Sequence, residues 1–198
     1  MKTIQPEALQ ANVFDLIGNR WMLVTAGNSE MANTMTASWG SMGVLWNLPC
    51  AFIFIRPQRY TKTFIDDASH VSLSFFDETW RKQLSYLGTV SGRDEPKIDK
   101  AGLHVINDED APRFAEADMT MICKKLYHQD LKEGCFIESS IFSAHYPLHD
   151  LHTMYVLHIE KSWSMTKKNG ICLRRCRFSM LVKTRIALIH IVGYRALS

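Results

Sequence analysis

The stretch NTMTASWGSMGVLWNLPCAFIFIRPQRYT, residues 33–61, decides how this chain is read. Its first seven residues, Asn33, Thr34, Met35, Thr36, Ala37, Ser38 and Trp39, mix small hydroxylated side chains with apolar ones and end on an aromatic. That is a strand pattern giving way to a polar ledge. Apolar runs at 22–26 and 51–55 flank it and read as buried strands, so the ledge has backbone groups to offer a flat polar ring. Thr and Ser are also ordinary in strands and turns, and the segment alone fits plain structure at least as well.

Outward from that stretch the pattern stays β-rich. Residues 14–17 and 21–26 predict two strands, or one strand with a turn at Gly18, Asn19 and Arg20. The run 51–55 stops before Pro57, as a core strand does at a sheet rim. Thr61 predicts the cap of a short helix whose apolar positions Phe64, Ile65 and Ala68 recur at helical spacing. Residues 71–76 alternate strictly, with Val71, Leu73 and Phe75 on one face and Ser72 and Ser74 on the other. A helix over 78–87 ended by Gly88, a polar loop over 91–102, and strands over 117–125, 135–142 and 152–160 complete the prediction. Many strands with two or three short helices between them predict a mainly β fold. An antiparallel barrel with helical connections suits it better than a doubly wound parallel sheet.

The chain has 198 residues, of which 22% are charged, enough for one packed domain. Its formal net charge of +3 conceals an asymmetry. Residues 161–198 hold nine Lys or Arg and no acidic residue, which leaves 14 basic against 20 acidic residues in 1–160, a net of −6. The main domain is therefore no nucleic-acid binder by charge. Gln5, Pro6, Glu7 and Gln10 stand where a secretory signal needs an apolar core, and no apolar run reaches membrane-spanning length. A cytoplasmic protein is expected. Five irregularly spaced cysteines, Cys50, Cys123, Cys135, Cys172 and Cys176, fit reduced thiols rather than a disulfide framework.

Three clusters carry candidate chemistry. Arg56, Pro57, Gln58, Arg59, Tyr60 and Thr61 bring two guanidinium groups and a hydroxyl to the predicted helix start, a phosphate site by chemistry. The same residues suit a solvated turn whose arginines pair with Asp66, Asp67 or Glu78. Residues 89–97, with Ser91, Gly92, Arg93 and Lys97, suit either a loop closing over the same anion or a charged surface loop. His152 heads a strand beside Asp150, at a barrel mouth or as a structural histidine. The spacing of His145, His149 and His158 gives no tetrahedral set, so no metal is expected. The chain has no nucleophile elbow, nucleotide-hydrolase phosphate loop or Gly-rich dinucleotide fingerprint.

Taken in order, residues 33–61, GTVSGRDEPK at 88–97, CKKLYHQDL at 123–131 and DLHTMYVLHIE at 150–160 resemble the flavin reductase-like family, particularly its flavoredoxin branch. The resemblance covers about residues 12–160. It implies an antiparallel split β-barrel that binds FMN and works as a homodimer. By it, Met35, Thr36, Ala37, Ser38 and Trp39 line the isoalloxazine, and Arg56, Arg59 and Thr61 lie near the phosphate. Ser91, Gly92, Arg93 and Lys97 complete the anion site, and His152 stands near the flavin face in a catalytic role. The implied function is transfer of reducing equivalents from NAD(P)H or a reduced carrier through FMN to an acceptor, the alternative being a non-catalytic FMN carrier or sensor. The chain departs from the family pattern at Leu157 and His158, where Gly-Glu is usual, and throughout 161–198. That atypical basic segment is expected to pack on the same domain or at a dimer interface.

Overall fold

The computed structural model describes residues 2–28, 30–107 and 110–164. In chain order the elements are β1 (Lys2–Ile4), β2 (Met22–Gly27), β3 (Ala32–Ala37), β4 (Gly40–Leu45), β5 (Leu48–Ile55), α1 (Tyr60–Asp67), β6 (His70–Phe75) and α2 (Arg81–Thr89). They continue with α3 (Lys97–Lys100), β7 (Val105–Asn107), β8 (Pro112–Phe114), β9 (Met119–Asp130), α4 (Ser139–His145) and β10 (Thr153–Ser164). One antiparallel sheet runs β3-β2-β6-β9-β10-β5-β4, with β1 on the C-terminal part of β10; β7 and β8 form a separate ladder.

The two ends of that path, β3 and β4, are consecutive in the chain and joined by Ser38 and Trp39 alone. In a flat sheet, six steps of about 4.8 Å would hold them roughly 29 Å apart. Three Cα–Cα steps of 3.8 Å reach only about 11 Å. The sheet therefore curls into a barrel, left unbonded between β3 and β4. Gly40, at the start of β4, is closely approached: a Cβ there would lie 2.8 Å from the Phe52 carbonyl and 3.1 Å from Met22 Cε on β2.

Period-two alternation sorts the side chains. Val24, Met35, Ile53, Val71, Leu73, Phe75, Met121, Tyr155 and Leu157 point into one core, closed by Ile65 of α1. Leu23, Phe76, Leu84, Leu87 and Phe114 form a second cluster outside the barrel wall, under α2 and β8. The faces predicted for 71–76 hold, and the serines are buried too: Ser72 Oγ donates to the Pro112 carbonyl at 2.5 Å, and Ser74 Oγ lies 3.3 Å from Thr120 Oγ1. Leu157, one of the departures from the family pattern, is fully buried beside a bulge in the β9–β10 ladder.

Several local predictions are corrected. Residues 14–17 are helical, because Asn12 Oδ1 accepts from the Phe14 and Asp15 amides at 3.0 and 3.4 Å and starts a widened turn over Asp15–Asn19. Residues 135–142 are not a strand either. Cys135 ends a short turn over Glu133–Cys135, and Glu138 Oε1 accepts from Ser140 Oγ at 2.8 Å at the start of α4. Helical spacing then brings Phe142 against Tyr146. Gly88 does not end its helix, which runs to Thr89; it lets α2 pass close to β3, a Cβ there lying 3.1 Å from Thr36 Cβ. The loop 91–102 contains the single turn α3. β10 continues four residues past 160, and beyond 164 the basic segment lies outside the described residues.

Substituting Gly40→Ala is expected to destabilise the fold by about 1–3 kcal/mol, since the backbone of β5 cannot yield to the added methyl. Urea unfolding of the two proteins measures this, and equal midpoints would show that the closure has slack.

Candidate functional site

Two groups of side chains gather along β3 and the two residues after it. Among the described strands β3 pairs only with β2, so alternate backbone N–H and C=O groups along 32–37 face away from the ladder. The first group is cationic and lies at the start of β3. Arg59 precedes α1 in extended conformation (φ −69°, ψ 123°), and no side chain among the described residues caps the helix. The Lys62 amide donates to the Arg59 carbonyl at 2.9 Å, which leaves the Tyr60 and Thr61 amides and the partial positive charge of the helix end to an outside acceptor. Arg59 Nη1 donates to the Gly88 carbonyl at 2.8 Å, joining α1 to α2.

Thr61 is the second residue of α1 and not its cap; its buried Oγ1 accepts from Asn33 Nδ2 at 3.0 Å, fixing the helix start on β3. The 91–93 loop closes over the same point. Ser91 Oγ accepts from the Arg93 amide at 3.2 Å, and the Arg93 guanidinium lies 4.5 Å over the Tyr60 ring while donating to the Gln58 carbonyl at 3.3 Å. A Cβ on Gly92 would meet Asn33 Oδ1 at 2.4 Å, so only glycine lets the loop approach this closely. Lys97 is turned inward: it is 4% exposed, and its Nζ donates to the Leu87 and Val90 carbonyls at 3.0 and 2.8 Å. Burial, with the nearby charge of Arg59, pushes its pKa down to about 8.

The second group is aromatic and lies at the other end of β3. Met35 and Ala37 face the core, Thr36 Oγ1 donates to the Leu84 carbonyl at 2.5 Å, and Ser38 turns outward. Trp39, 43% exposed, meets the rings of His145 and His152 at 5.2 Å each, the first edge-on and the second tilted by 41°. Beside Trp39 a cleft of about 660 Å³ opens between Ser38, Gly40, Met42 and Phe14. His152 is 7% exposed, with Nδ1 2.9 Å from the Tyr146 hydroxyl. Burial first, then the positive charge of Arg56, holds its pKa down at about 4, so the imidazole is neutral at pH 7. Arg56 lies here and not in the cationic group, paired with Asp150.

The structure thus brings Arg59, Thr61, Ser91, Gly92 and Arg93 together and sets Trp39 against His152, while Lys97 holds carbonyls and Arg56 braces the aromatic wall. Sequence reading did not single out Asn33 as a hub or Tyr60 and Tyr146 as platforms. The signal for Tyr60 was its position between Arg59 and Thr61; for Tyr146 there was none, since its partner His152 lies six residues on. Among the described residues no cluster of His, Cys, Asp or Glu could hold a metal ion, and no described helix is long and apolar enough to cross a membrane.

A curled antiparallel sheet split between β3 and β4, with a cationic and an aromatic group at the two ends of β3, defines the split-barrel class. The flavin reductase like domain family matches residues 14–166, and the chain belongs to that family. No curated protein sequence matches it. Among solved structures, an FMN-binding domain of a flavin reductases-like enzyme from Shewanella baltica superposes with a TM-score of 0.60 at 15% identity, covering 82% of this chain and 76% of that one. Flavoredoxin from Methanosarcina acetivorans gives 0.56 at 23% identity over 74% and 69%. The NADH:FAD oxidoreductase SgcE6 from Streptomyces globisporus gives 0.54 at 16% over 73% and 75%.

The buried neutral His152 has a consequence for acid stability. In the unfolded chain it takes up a proton near pH 6.5, in the folded one near pH 4. Its contribution is complete above pH 6.5 and is lost as pH falls from 6.5 to 4. Between pH 7 and 4.5 the wild-type protein should lose on the order of 2–3 kcal/mol more than His152→Gln. Urea titrations at the two pH values check this, and parallel losses would remove His152 as the cause.

Proposed function

We propose that the groove along β3 binds FMN and that the protein is an oxidoreductase passing reducing equivalents from NAD(P)H or a reduced carrier to an acceptor. The observation that carries this reading is the pairing, along one strand, of an uncapped, cation-flanked helix start with an aromatic wall six residues away. The residues fit the two ends of FMN. A phosphate near −2 needs several cationic or N–H donors, and Arg59, Arg93 and the Tyr60 and Thr61 amides supply them beside a loop that only Gly92 permits. A flat ring needs an apolar slot with a few placed polar groups, as the outward backbone of β3, Ser38 and Trp39 provide.

Bound flavin supplies the hydride and electron chemistry. The chain's own residues bind, orient and screen. Arg59 and Arg93 hold the anion. N–H groups on the outward edge of β3 stabilise negative charge on the polar rim of the ring. His152, neutral and hydrogen-bonded to Tyr146, offers a hydrogen bond where an electron partner approaches, without adding charge.

A homodimer is part of this reading, supported by Val44 and Trp46, exposed on the β4–β5 hairpin at the edge of the sheet. A cytoplasmic location is supported by the free thiols of Cys50, Cys123 and Cys135.

Purified protein should be yellow and release FMN on denaturation; colourless protein that takes up no FMN would overturn the cofactor reading. Anaerobic mixing with NADH and NADPH then separates a reductase, which bleaches its flavin faster than free FMN is bleached, from a carrier, which does not. Arg59→Ala and Arg93→Ala should each raise the FMN dissociation constant about ten- to hundredfold, the worth of a charge-assisted hydrogen bond, and leave riboflavin binding nearly unchanged. Equal losses for both flavins would move the phosphate elsewhere.

A further inference from the structure

Arg56 follows β5 directly, and its guanidinium fork is already occupied. Nη1 pairs with the Asp150 carboxylate, and Nη2 donates to the His145 carbonyl at 2.9 Å. The same group lies 5.3 Å from the centre of the Tyr146 ring. Gln58 Nε2 adds a second donor to Asp150 at 2.7 Å. One side chain thus grips a single segment at residues 145, 146 and 150. That segment carries the rings that face Trp39 and one that orders them: His145 and His152 meet Trp39, and Tyr146 is hydrogen-bonded to His152. The hydrogen bonds from Arg56 and Gln58 hold the Asp150 carboxyl below its usual pKa, so the pair stays ionised through the neutral and mildly acid range.

Arg56 spans two acceptors, a carboxylate and a carbonyl, and a planar guanidinium engaged at two nitrogens holds its partners in one orientation, which makes this a fixed brace and not a solvated surface pair. Arg59 differs: one of its nitrogens is bonded to Gly88, and it stands at the open start of α1.

We propose that Arg56 is a positioning residue which, through Asp150, the His145 carbonyl and Tyr146, latches the 145–152 segment so that His152 and Trp39 form the wall against which a flavin ring lies. It thus acts on the ring end of the groove and not on the phosphate. The inference rests on the FMN reading above and adds a residue role to it.

Riboflavin, which has the ring and no phosphate, separates the two roles. Dissociation constants for FMN and riboflavin are measured by fluorescence quenching on the wild-type protein, Arg56→Ala and Asp150→Asn, with far-UV circular dichroism confirming the fold. The latch requires both variants to weaken both flavins by the same factor, about tenfold for the loss of one charge-assisted contact, leaving the FMN-to-riboflavin ratio at its wild-type value. Loss of FMN affinity alone in Arg56→Ala, or unchanged riboflavin affinity in Asp150→Asn, would overturn it. Where Arg56→Ala does not fold, Asp150→Asn carries the test, because it leaves the guanidinium in place for any phosphate.

A second readout needs no flavin. The NMR titration midpoint of His152 should rise in Asp150→Asn from about 4 towards 6.5 as the segment opens to water, whereas loss of the Asp150 charge alone would lower it. A midpoint that stays put or falls overturns the latch. Wild-type protein that binds neither flavin would refute the cofactor reading instead, and the histidine titration would still decide whether Arg56 positions His152.

Discussion

The two-residue link between β3 and β4 is the constraint on which the rest depends. Because strands adjacent in sequence stand at opposite ends of a seven-strand path, curling is a condition of chain connectivity and not an outcome of packing alone. The link also fixes where the barrel stays open. Among the described strands, β3 has no ladder on the side away from β2, and a strand that enters a barrel wall with one bare edge exposes alternate backbone donors and acceptors. Such an edge invites another strand unless something polar takes it. Here α2 lies against it, with the Thr36 hydroxyl donating to the Leu84 carbonyl.

That arrangement explains why the cationic and aromatic groups stand so far apart in type yet so close in the fold. Asn33 and Trp39 are six residues apart, about 20 Å along an extended strand. α1 reaches the first through the Asn33–Thr61 bond, and the segment leading into β10 reaches the second through His152. Each end is set by elements distant in sequence, and β3 is the element they share. The buried cation Lys97 belongs to this scaffold as well: its ammonium closes the C-terminal end of α2 by binding the Leu87 and Val90 carbonyls, which holds the 91–93 loop where Gly92 meets Asn33.

The strands that alternate strictly were legible. Residues 71–76 alternate, so period two leaves no other assignment, and 22–26 and 51–55 are short apolar runs of strand length bounded by turn residues. What failed were segments decided by side chains that compete with the backbone. Asn12 and Glu138 start helical turns at places where apolar content suggested strands, and neither residue alters a hydrophobic period. β4 went unread because Gly40 and Gly43 carry no side chain to alternate and its hairpin turns on Trp46 and Asn47, both left-handed (φ 54° and 58°), where only the asparagine is a usual signal. Of the candidate site, residue types around Arg59–Thr61 and 91–93 were visible as anion chemistry. Which arginine was free was not, because Asp150, the partner that engages Arg56, lies 94 positions along the chain.

The division of labour between the two arginines follows from that long-range pairing. A guanidinium cannot be deprotonated in a protein, so each of these charges must be matched or hydrated. Arg56 is matched within the chain by Asp150, and it adds to the burial that keeps His152 neutral. Arg59 and Arg93 have carbonyl and aromatic partners and no carboxylate partner among the described residues. Uncompensated positive charge therefore collects at the start of α1, where the helix dipole adds to it, and is cancelled at the far end of β3. A ligand with an anion at one end and a flat, nearly neutral ring at the other has only one favourable direction along such a groove: reversing it would set the anion against the Asp150 carboxylate and leave the cations unpaired. Orientation is thus decided by charge before any contact with the ring is made.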